Sequence, residues 1–385
     1  MRVMISCGEP SGDLYAGALA REMLAIDPSA LITGFGSDRL RAAGATLIED
    51  FKGLSVTGLL EVARLLPRTY ATYRRLLAHA AAERPDVFVA IDFPDFNFRL
   101  AAAIRKLGVP VVYYISPQLW AWRRGRMKTM RRIADRVLVI FPFEAPIYEA
   151  AGVAVQWVGH PMLDVTCDIR PRGDYLQGLG LDPDRPVVAL LPGSRRNELR
   201  QILPDLAGAA LAIRQRLPAA QFVVARAPHL GDELFTPLAA LSVDGRPSTR
   251  VVERQADDVL AAADLALVAS GTVTVQAALH ECPMVVVYRL ATLTYTLGKP
   301  FVHVDTYAMA NLVAGRRVVP ELIQDAFTPE AVATEALRVL TDPAHAARVR
   351  ADLRVVRERL GPPGASRRAA LAVFDVARRA ADPLE

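Results

Sequence analysis

Residues 187–198 read VVALLPGSRRNE, and this stretch decides the fold. Five apolar residues typical of a buried strand stop at a Pro-Gly pair, and an amphipathic helical pattern starts near Arg196. Gly193 lets the backbone approach a ligand closely, the Ser194 hydroxyl can donate, and a helix N-terminus carries free amides with partial positive charge. Arg195 adds a planar fork that binds phosphate. The stretch predicts a strand, a binding turn and a helix, with a phosphate-bearing ligand at the turn.

The N-terminal part of the chain shows the same arrangement. Residues 2–13 read RVMISCGEPSGD, a strand-like run with a Gly-rich turn, and an amphipathic pattern follows over 14–26. Further along, short Val- and Ile-rich runs alternate with longer helical patterns, which is typical of α/β proteins with parallel sheets. A chain of 385 residues, 52% of them hydrophobic, is too long for one ordinary core and suits two. We predict an α/β fold of two Rossmann-like, doubly wound domains that face each other across a cleft.

The composition changes between residues 168 and 185, where Pro, Gly, Asp and Arg replace the apolar periodicity. Such a segment is typical of a linker between domains. We predict an N-terminal domain over 1–167, a linker over 168–185 and a C-terminal domain over 186–361. The helical pattern at 362–385 could cap either domain, and we assign it to the first. A homodimer formed through this C-terminal helix is the alternative.

The sequence argues against several classes of protein. No apolar stretch is long enough to span a bilayer, and the chain enters a strand at once without a signal peptide, so we expect a cytoplasmic protein. Cys7, Cys167 and Cys282 lie far apart without ligand spacing, which indicates neither a disulfide framework nor a zinc site. We therefore predict no bound metal.

The positive charge of the chain is unevenly distributed. The net charge is +5, and a cluster of basic residues falls within 123–136, directly after Trp120 and Trp122. Residues 59–79 combine leucines with arginines. Such a segment can lie on an anionic membrane surface, or it can be an ordinary packed helix with a solvated arginine face. Nucleic acid explains the charges less well, because no recognised binding motif accompanies them.

Polar residues and glycines collect where the predicted strands end, and ligands of open α/β sheets bind beyond those carboxyl ends. In the second half they form two turns, at 193–195 and at 270–272. Each turn alone could be a helix cap, but two in one domain, with Arg195 in one of them, favour a phosphate site. The spacing G-x-G-x-x-G does not follow the first strand, where Glu9 would repel a pyrophosphate, and no Walker A motif occurs.

Two residues are candidates for acid–base chemistry. Asp92 follows the apolar run 87–91, and the nearby Asp95 is the better cap for the next helix, so structure explains Asp92 less well and Asp92 is a candidate base. His160 stands between Gly and Pro in a predicted loop, where a histidine can be either a catalyst or a hydrogen-bonded turn residue.

Five motifs together resemble one known family in both content and order. They are GEPSGD at 8–13, IDFPDFN at 91–97, SPQLWAW at 116–122, LPGSR at 191–195 and NLVAGR at 311–316. This series looks like that of the lipid-A-disaccharide synthases, and it spans nearly the whole chain. No single motif is as specific as the series.

The resemblance implies a GT-B glycosyltransferase that takes part in making the lipopolysaccharide of the Gram-negative outer membrane. It implies transfer of 2,3-diacylglucosamine from UDP-2,3-diacylglucosamine to the 6-hydroxyl of 2,3-diacylglucosamine 1-phosphate (lipid X). The products would be UDP and a β-1,6-linked disaccharide 1-phosphate, with inversion at the anomeric carbon. No cofactor is implied, and the enzyme would be peripheral on the anionic surface of the inner membrane.

The resemblance also implies roles for matching residues. Asp92 would deprotonate the acceptor hydroxyl, and Arg195 would hold the leaving diphosphate. The other residues implied at the nucleotide are Gly193, Ser194, Ser270, Gly271, Thr272, Gln276, Tyr288 and Asn311. Those implied on the acceptor side are Glu9, Ser11 and Asn97, and those implied at the membrane are Trp120, Trp122, Arg123 and Arg124.

The chain departs from the family pattern at two positions. Gln276 stands where a glutamate commonly meets the ribose hydroxyls, and Ala310 stands where a proline is usual. An amide can still bond a ribose, so we keep Gln276 as a ribose contact. Two alternatives to the synthase stay open: another user of UDP-N-acetylglucosamine with this fold, such as a 2-epimerase or a MurG-like transferase, and a non-catalytic, membrane-associated protein that binds UDP-sugars.

Overall fold

The computed structural model describes residues 1–52, 59–120, 124–165, 168–228, 230–241, 249–290 and 306–381, and of residues 59–65 and 124 it describes the backbone. The chain divides into two compact units. The first joins Met1–Val165 to Leu360–Glu385, and the second is Thr166–Arg359. Each unit has its own parallel sheet with flanking helices. The predicted α/β fold of two Rossmann-like domains is confirmed.

The first unit is built on strands and helices that alternate along the chain. Its strands are β1 (Arg2–Cys7), β2 (Leu31–Gly36), β3 (Thr46–Asp50), β4 (Val87–Ile91), β5 (Val111–Tyr114), β6 (Arg136–Val139) and β7 (Val155–Trp157). Between them lie α1 (Pro10–Ile26), α2 (Asp38–Ala42), α3 (Leu59–Glu83), α4 (Pro94–Arg105), α5 (Met127–Ile133) and α6 (Glu144–Ala150). Within the described residues the strands form one sheet in the order β3-β2-β1-β4-β5-β6-β7.

The second unit repeats this architecture. Its strands are β8 (Val187–Leu191), β9 (Gln221–Arg226), β10 (Thr249–Glu253), β11 (Leu265–Ala269), β12 (Met284–Tyr288) and β13 (Glu321–Ile323). Its helices are α7 (Arg172–Gly178), α8 (Arg196–Arg216), α9 (Ala256–Ala262), α10 (Thr272–Leu279), α11 (Met309–Ala314), α12 (Pro329–Thr341) and α13 (Pro343–Arg359). The strands that the structure describes are ordered β10-β9-β8-β11-β12-β13.

Strand order reverses next to the first strand of each sheet. β1 lies between β2 and β4, and β8 lies between β9 and β11. The parallel register pairs Cys7 with Ile91 and Leu191 with Val268, so the strands of each pair end at nearly the same level. The turns that follow these strands therefore lie side by side, at the switch points where ligands of such sheets bind.

The central strands are buried on both faces, as parallel sheets require. Every residue of β4, β8 and β11 is buried. Against the second sheet packs α8, whose Leu199, Leu203 and Leu206 repeat at helical spacing and are at most 1% exposed. Burial of each such leucine stabilises the fold by about 1.5–3 kcal/mol.

The segment 168–185 is not a linker, contrary to the sequence prediction. It includes α7 and belongs to the second unit, where Tyr175 and Leu176 are buried. Arg172 anchors it by an ion pair of 2.9 Å with Asp264, and Arg170 lies over the Tyr175 ring at 4.6 Å. The helix has few apolar residues and is held by arginines, so its pattern does not reveal that it is packed.

The C-terminal helix α14 (Ala365–Ala381) packs on α1 within the first unit. Its apolar face, including Val373 and Phe374, is buried. The Asp164 carboxylate accepts hydrogen bonds from the backbone amides of Gly364 (2.6 Å) and Ser366 (2.7 Å), and it thereby fixes the start of the helix. This helix therefore covers α1 of its own chain.

The helix α3 includes the leucine- and arginine-rich stretch for which membrane contact was one prediction. It buries Leu76 and Ala80 completely, whereas Leu66 and Tyr70 are 59% and 60% exposed. No described helix has both the length and the apolar character needed to cross a bilayer. The helix α3 thus has an ordinary packing face, and it also exposes large apolar side chains at Leu66 and Tyr70.

Candidate active site

Asp92 stands directly after β4 in a strained turn. Asp92 and Phe93 both adopt left-handed backbone conformations, with φ of 42° and 49°. Bulky residues rarely adopt this conformation, and it persists only where the surroundings enforce it. The Asn97 amide does so, because its Nδ2 donates to the carbonyls of Ser6 (3.2 Å), Ile91 (3.1 Å) and Asp92 (2.9 Å). The partly exposed Asp92 carboxylate is therefore attached to a fixed backbone.

Asn97 itself is not exposed to the acceptor side, contrary to the expectation from the resemblance. Its side chain is 0% exposed, and its Oδ1 accepts a hydrogen bond of 2.7 Å from the Ser6 hydroxyl. Both the Nδ2 donor and the Oδ1 acceptor of Asn97 are thus hydrogen-bonded within the first unit. Asn97 is a positioning residue for Asp92 rather than a ligand contact.

The turn after β1 packs against the turn that carries Asp92. A Cβ on Gly8 would lie 2.2 Å from the Phe93 ring, so this close approach requires glycine. Glu9 is the N-cap residue of α1, and Ser11 lies in its first turn. Both residues are partly exposed, as is Asp92. The candidate acceptor residues Glu9 and Ser11 therefore occur at the same switch point as the candidate base.

The charge of Asp92 influences a buried carboxyl group. Burial raises the pKa of Glu144 to about 7, and the negative charge of Asp92 adds to this rise, while hydrogen bonds from Trp120 and from backbone amides oppose it. Glu144 Oε1 accepts from Trp120 Nε1 at 3.2 Å, and Oε2 accepts from the Phe141 amide at 3.2 Å. Sequence reasoning did not single out Glu144, because a glutamate inside a short helix gives no signal of burial.

Trp120 lies inside the first unit, and this corrects its assignment to the membrane surface. It is 7% exposed, bonded to Glu144, and packed edge-to-face on Phe143 with ring centroids 5.1 Å apart. A side chain held in this way offers little surface to lipid. Trp122 and Arg123 lie outside the described residues, and so does the side chain of Arg124.

His160 is a buried turn residue. Its Nδ1 accepts a hydrogen bond of 3.2 Å from the Met162 amide, and its ring lies 6.1 Å from Tyr15 and 5.3 Å from Phe141, measured between centroids. Burial lowers the pKa of His160 to about 3, so the imidazole is neutral at physiological pH. Of the two sequence interpretations, the geometry favours the turn residue over the catalyst.

In the second unit, a carboxylate already occupies the turn after β8. Glu198 Oε2 accepts a hydrogen bond of 3.1 Å from the Ser194 amide, and it lies 2.2 Å from where a Cβ of Gly193 would stand. Burial raises the pKa of Glu198, although the charge of Arg195 opposes the rise. The φ of 114° at Gly193 is a backbone conformation that favours glycine. The turn has the amides of an anion site, and its present anion is a side chain.

The turn after β11 is open. Gly271 and Thr272 are exposed where α10 begins, and Gly271 has φ of 148°. Two hydrogen bonds hold the turn in place. The Ser270 amide donates to the Val287 carbonyl (2.9 Å), and the Thr274 hydroxyl donates to the Gly271 carbonyl (2.8 Å). The α10 N-terminus therefore presents its first amides at the same switch point as the Ser194 turn.

One helical turn into α10, Gln276 belongs to a polar cluster. Its Nε2 donates to Asp257 Oδ1 at 2.7 Å, and His280 Nε2 lies 2.9 Å from the same oxygen. Burial alone would raise the pKa of Asp257, but the hydrogen bonds from His280 and Gln276 outweigh it and hold the pKa below its usual value. Sequence reasoning missed Asp257 and His280, because the cluster joins two helices that are distant in sequence.

Tyr288 and Asn311 differ in their surroundings. Tyr288 is partly buried at the end of β12, and burial together with the charge of Glu198 raises its pKa. Asn311 is 1% exposed: its Nδ2 donates to the Val319 carbonyl (2.9 Å) and to Glu321 Oε1 (2.6 Å), and its Oδ1 accepts from the Val319 amide (3.0 Å). The Asn311 side chain is therefore a structural clamp, which corrects its assignment to the nucleotide.

Two Rossmann-like domains with open, polar switch points define the GT-B class, and solved structures share this fold. Over 97% of this chain and 100% of the other, it superposes on the UDP-GlcNAc 2-epimerase from Neisseria meningitidis bound to UDP-GlcNAc, with a TM-score of 0.68 and 13% identity. The calicheamicin glycosyltransferase CalG4 superposes with a TM-score of 0.63 at 19% identity, over 98% of each chain. At such identities the likeness establishes the fold.

The family follows from closer relatives. The family model of lipid-A-disaccharide synthetase matches residues 3–374. The lipid-A-disaccharide synthase of Geobacter sulfurreducens is 43% identical, and that of Myxococcus xanthus is 41% identical, each over 97% of both chains. The chain belongs to the lipid-A-disaccharide synthase family, and it is a glycosyltransferase enzyme of lipid A biosynthesis. The family resemblance noted in the sequence is confirmed.

Proposed function

We propose that this enzyme transfers 2,3-diacylglucosamine from UDP-2,3-diacylglucosamine to the 6-hydroxyl of 2,3-diacylglucosamine 1-phosphate. The products are UDP and the β-1,6-linked disaccharide 1-phosphate. The observation that carries the proposal is the Asp92 carboxylate, held by Asn97 at the switch point of a chain from this family. Such rigid placement suits a group that must meet a substrate proton at one position.

The proposed reaction is a single displacement with inversion. The acceptor 6-hydroxyl oxygen attacks the anomeric carbon of the donor sugar, its proton passes to the Asp92 carboxylate, and the bond from that carbon to the UDP oxygen breaks. The departing diphosphate gains negative charge, which helix N-termini and an arginine stabilise. Arg195 and the exposed turn at Gly271 and Thr272 supply these groups.

Substrate contacts are assigned in each unit separately. Glu9 and Ser11, partly exposed at the switch point of Asp92, are assigned to the acceptor. Gly193, Ser194, Ser270 and Tyr288 are assigned with Arg195 to the nucleotide. The epimerase with the same fold was solved with UDP-GlcNAc bound, which supports a UDP-sugar as the donor.

We further assign the enzyme to the cytoplasmic face of the inner membrane as a peripheral protein. Both proposed substrates have acyl chains that keep them in a bilayer. The exposed Leu66 and Tyr70 of α3 lie on a helix that also exposes Arg68 and Arg74. Apolar side chains among cations are typical of a surface that binds anionic lipid. Trp122, Arg123 and Arg124 stay candidates for the same surface.

The decisive variant is Asp92→Asn. With both lipid substrates in detergent, UDP and disaccharide are followed by mass spectrometry, and the variant is expected to lose about a hundredfold or more in turnover while UDP affinity is retained. Asp95→Asn is the matched control, because Asp95 is an exposed carboxylate of the same turn that pairs with Arg126. It should keep near-normal turnover.

Two results would overturn the assignment. Full activity of Asp92→Asn would show that another group takes the proton. UDP-sugar binding by the unaltered enzyme, with neither UDP release nor disaccharide, would favour another UDP-sugar enzyme of this fold, such as an epimerase, or a non-catalytic sensor.

A further inference from the structure

The cluster around Asp257 occupies a defined place beside the open turn of α10. Asp257 lies in the first turn of α9, which follows β10 at the carboxyl edge of the sheet. Gln276 and His280, its two partners, follow Thr272 at steps of four along α10, so the three share one helix face. Gln276 is one turn, about 5.4 Å, from the end of α10 that carries the exposed Thr272.

The hydrogen bonds leave part of this carboxylate available. Gln276 and His280 both bond Oδ1, which leaves Asp257 Oδ2 without a hydrogen bond from the described residues. The side chain is 23% exposed. A carboxylate is acceptor-only when ionised, so a free oxygen at a solvent-facing edge calls for a partner with hydroxyl or amide hydrogens.

Gln276 cannot offer the same chemistry. Its amide nitrogen donates one hydrogen bond to Asp257 Oδ1, and the only acceptor that the amide has is a neutral carbonyl oxygen. Hydrogen bonds to a charged carboxylate are about twice as strong as those to a neutral group. The stronger hydrogen-bond acceptor of the cluster is therefore the Asp257 carboxylate on α9, and Gln276 on α10 orients that carboxylate.

We propose that Asp257 accepts hydrogen bonds from the ribose hydroxyls of the bound nucleotide, with Gln276 as the residue that positions it. This inference rests on the proposed UDP-sugar function. A diphosphate at the start of α10 brings the adjoining ribose one helical turn further along, beside Asp257 Oδ2. The site then distinguishes ribose from 2′-deoxyribose, because the deoxy sugar lacks one of the two donors.

The test compares UDP with 2′-deoxyuridine diphosphate by isothermal titration calorimetry. The unaltered enzyme is expected to bind UDP about tenfold more tightly, since a hydrogen bond to a charged group is at stake. In Asp257→Asn this ratio should fall to about one, mainly through weaker UDP binding. Gln276→Ala keeps the carboxylate but loosens it, and it should give an intermediate ratio.

Asp258→Asn is the matched control for folding. Asp258 is the next carboxylate in the same turn, but it pairs with Arg170 at 2.8 Å. Its loss should change the dissociation constants of both nucleotides equally and leave their ratio unaltered. A ratio unchanged in Asp257→Asn would overturn the ribose assignment.

The two proposals fail in different ways. An enzyme that binds UDP with the expected ratio but forms no disaccharide refutes the transferase reaction and keeps the ribose site. An enzyme that forms disaccharide with an unchanged ratio in Asp257→Asn refutes the ribose site alone. Failure of the unaltered enzyme to bind UDP refutes both.

Discussion

At the scale of single residues, Glu198 stands among the amides that we assign to the diphosphate. A diphosphate that binds there must displace a carboxylate of like charge. Glu198→Gln removes this competition, so we predict that UDP binds about three- to tenfold more tightly to the variant. Calorimetric dissociation constants at one pH and ionic strength would measure the change.

Arg195→Ala is the informative companion to that variant. It should weaken UDP binding markedly, because a charge-assisted contact with the diphosphate is lost. If Glu198→Gln instead weakens binding as much as Arg195→Ala does, then the glutamate is needed to shape the turn, and the competition does not exist.

Glu144 makes the stability of the first unit depend on pH. Its folded-state pKa of about 7 lies above the ordinary value of 4.5, so folding favours the protonated form. The stabilising contribution is complete below pH 4.5 and is lost as pH rises through 7. Between those limits, the free energy of unfolding should fall by on the order of 2–3 kcal/mol relative to Glu144→Gln, which cannot titrate.

Tryptophan fluorescence suits this measurement. All three tryptophans, Trp120, Trp122 and Trp157, belong to the first unit, so urea unfolding followed by their emission reports on that unit. If the free energies of unfolding of the two proteins change with pH in the same way, Glu144 is already ionised in the folded state, and the prediction is wrong.

At the scale of elements, the β1 and β4 turns form one piece held by Asn97. Asn97→Ala removes one donor from the carbonyls of Ser6, Ile91 and Asp92, of which Asp92 keeps the Tyr113 hydroxyl, so we predict a loss of about 2–4 kcal/mol in stability. Turnover should fall as well, since Asp92 loses its fixed backbone. Urea unfolding and the disaccharide assay measure the two effects, and Arg99→Ala, an exposed change in the same helix, is the control.

The elements themselves were largely predictable, because apolar runs and helical periodicity record burial directly. The turns at 8–13, 92–97, 193–195 and 270–272 were also predictable, since polar and glycine residues after strands mark switch points. The direction of a side chain was not. Asn97, Asn311 and Trp120 were assigned to ligand or membrane, yet each is buried, because hydrogen bonds between distant segments decide which way a polar group faces.

The same reason explains what the sequence left unseen. Asp257 accepts a hydrogen bond from Gln276, which lies on another helix, and Glu144 has a pKa raised by burial and by the charge of Asp92. Segment 168–185 looked like a linker because it has few apolar residues, and an ion pair of Arg172 with the distant Asp264 helps to fix α7 in place. Local pattern cannot report contacts of this kind.

At the scale of the whole molecule, the first unit is assembled from two separate parts of the chain. Removal of residues 360–385 exposes the face of α1 that α14 covers and deletes the partner of Asp164. We predict that the shortened protein loses the cooperative tryptophan unfolding transition of the first unit but still binds UDP through the second. Tryptophan fluorescence during urea unfolding tests the first part of this prediction, and calorimetric titration with UDP on the same sample tests the second. Retention of the transition would show that α14 is dispensable.

The discontinuity of the first unit also sets an order of events on the ribosome. Residues 1–165 emerge first, yet the helix that closes them follows the whole of Thr166–Arg359. At roughly 5–20 residues per second, that interval lasts on the order of 10–40 s. The second unit is contiguous and can finish folding during this time, whereas α1 waits with an uncovered apolar face. The first unit is thus begun first and completed last, and on the nascent chain the apolar face of α1 remains uncovered until α14 has been made.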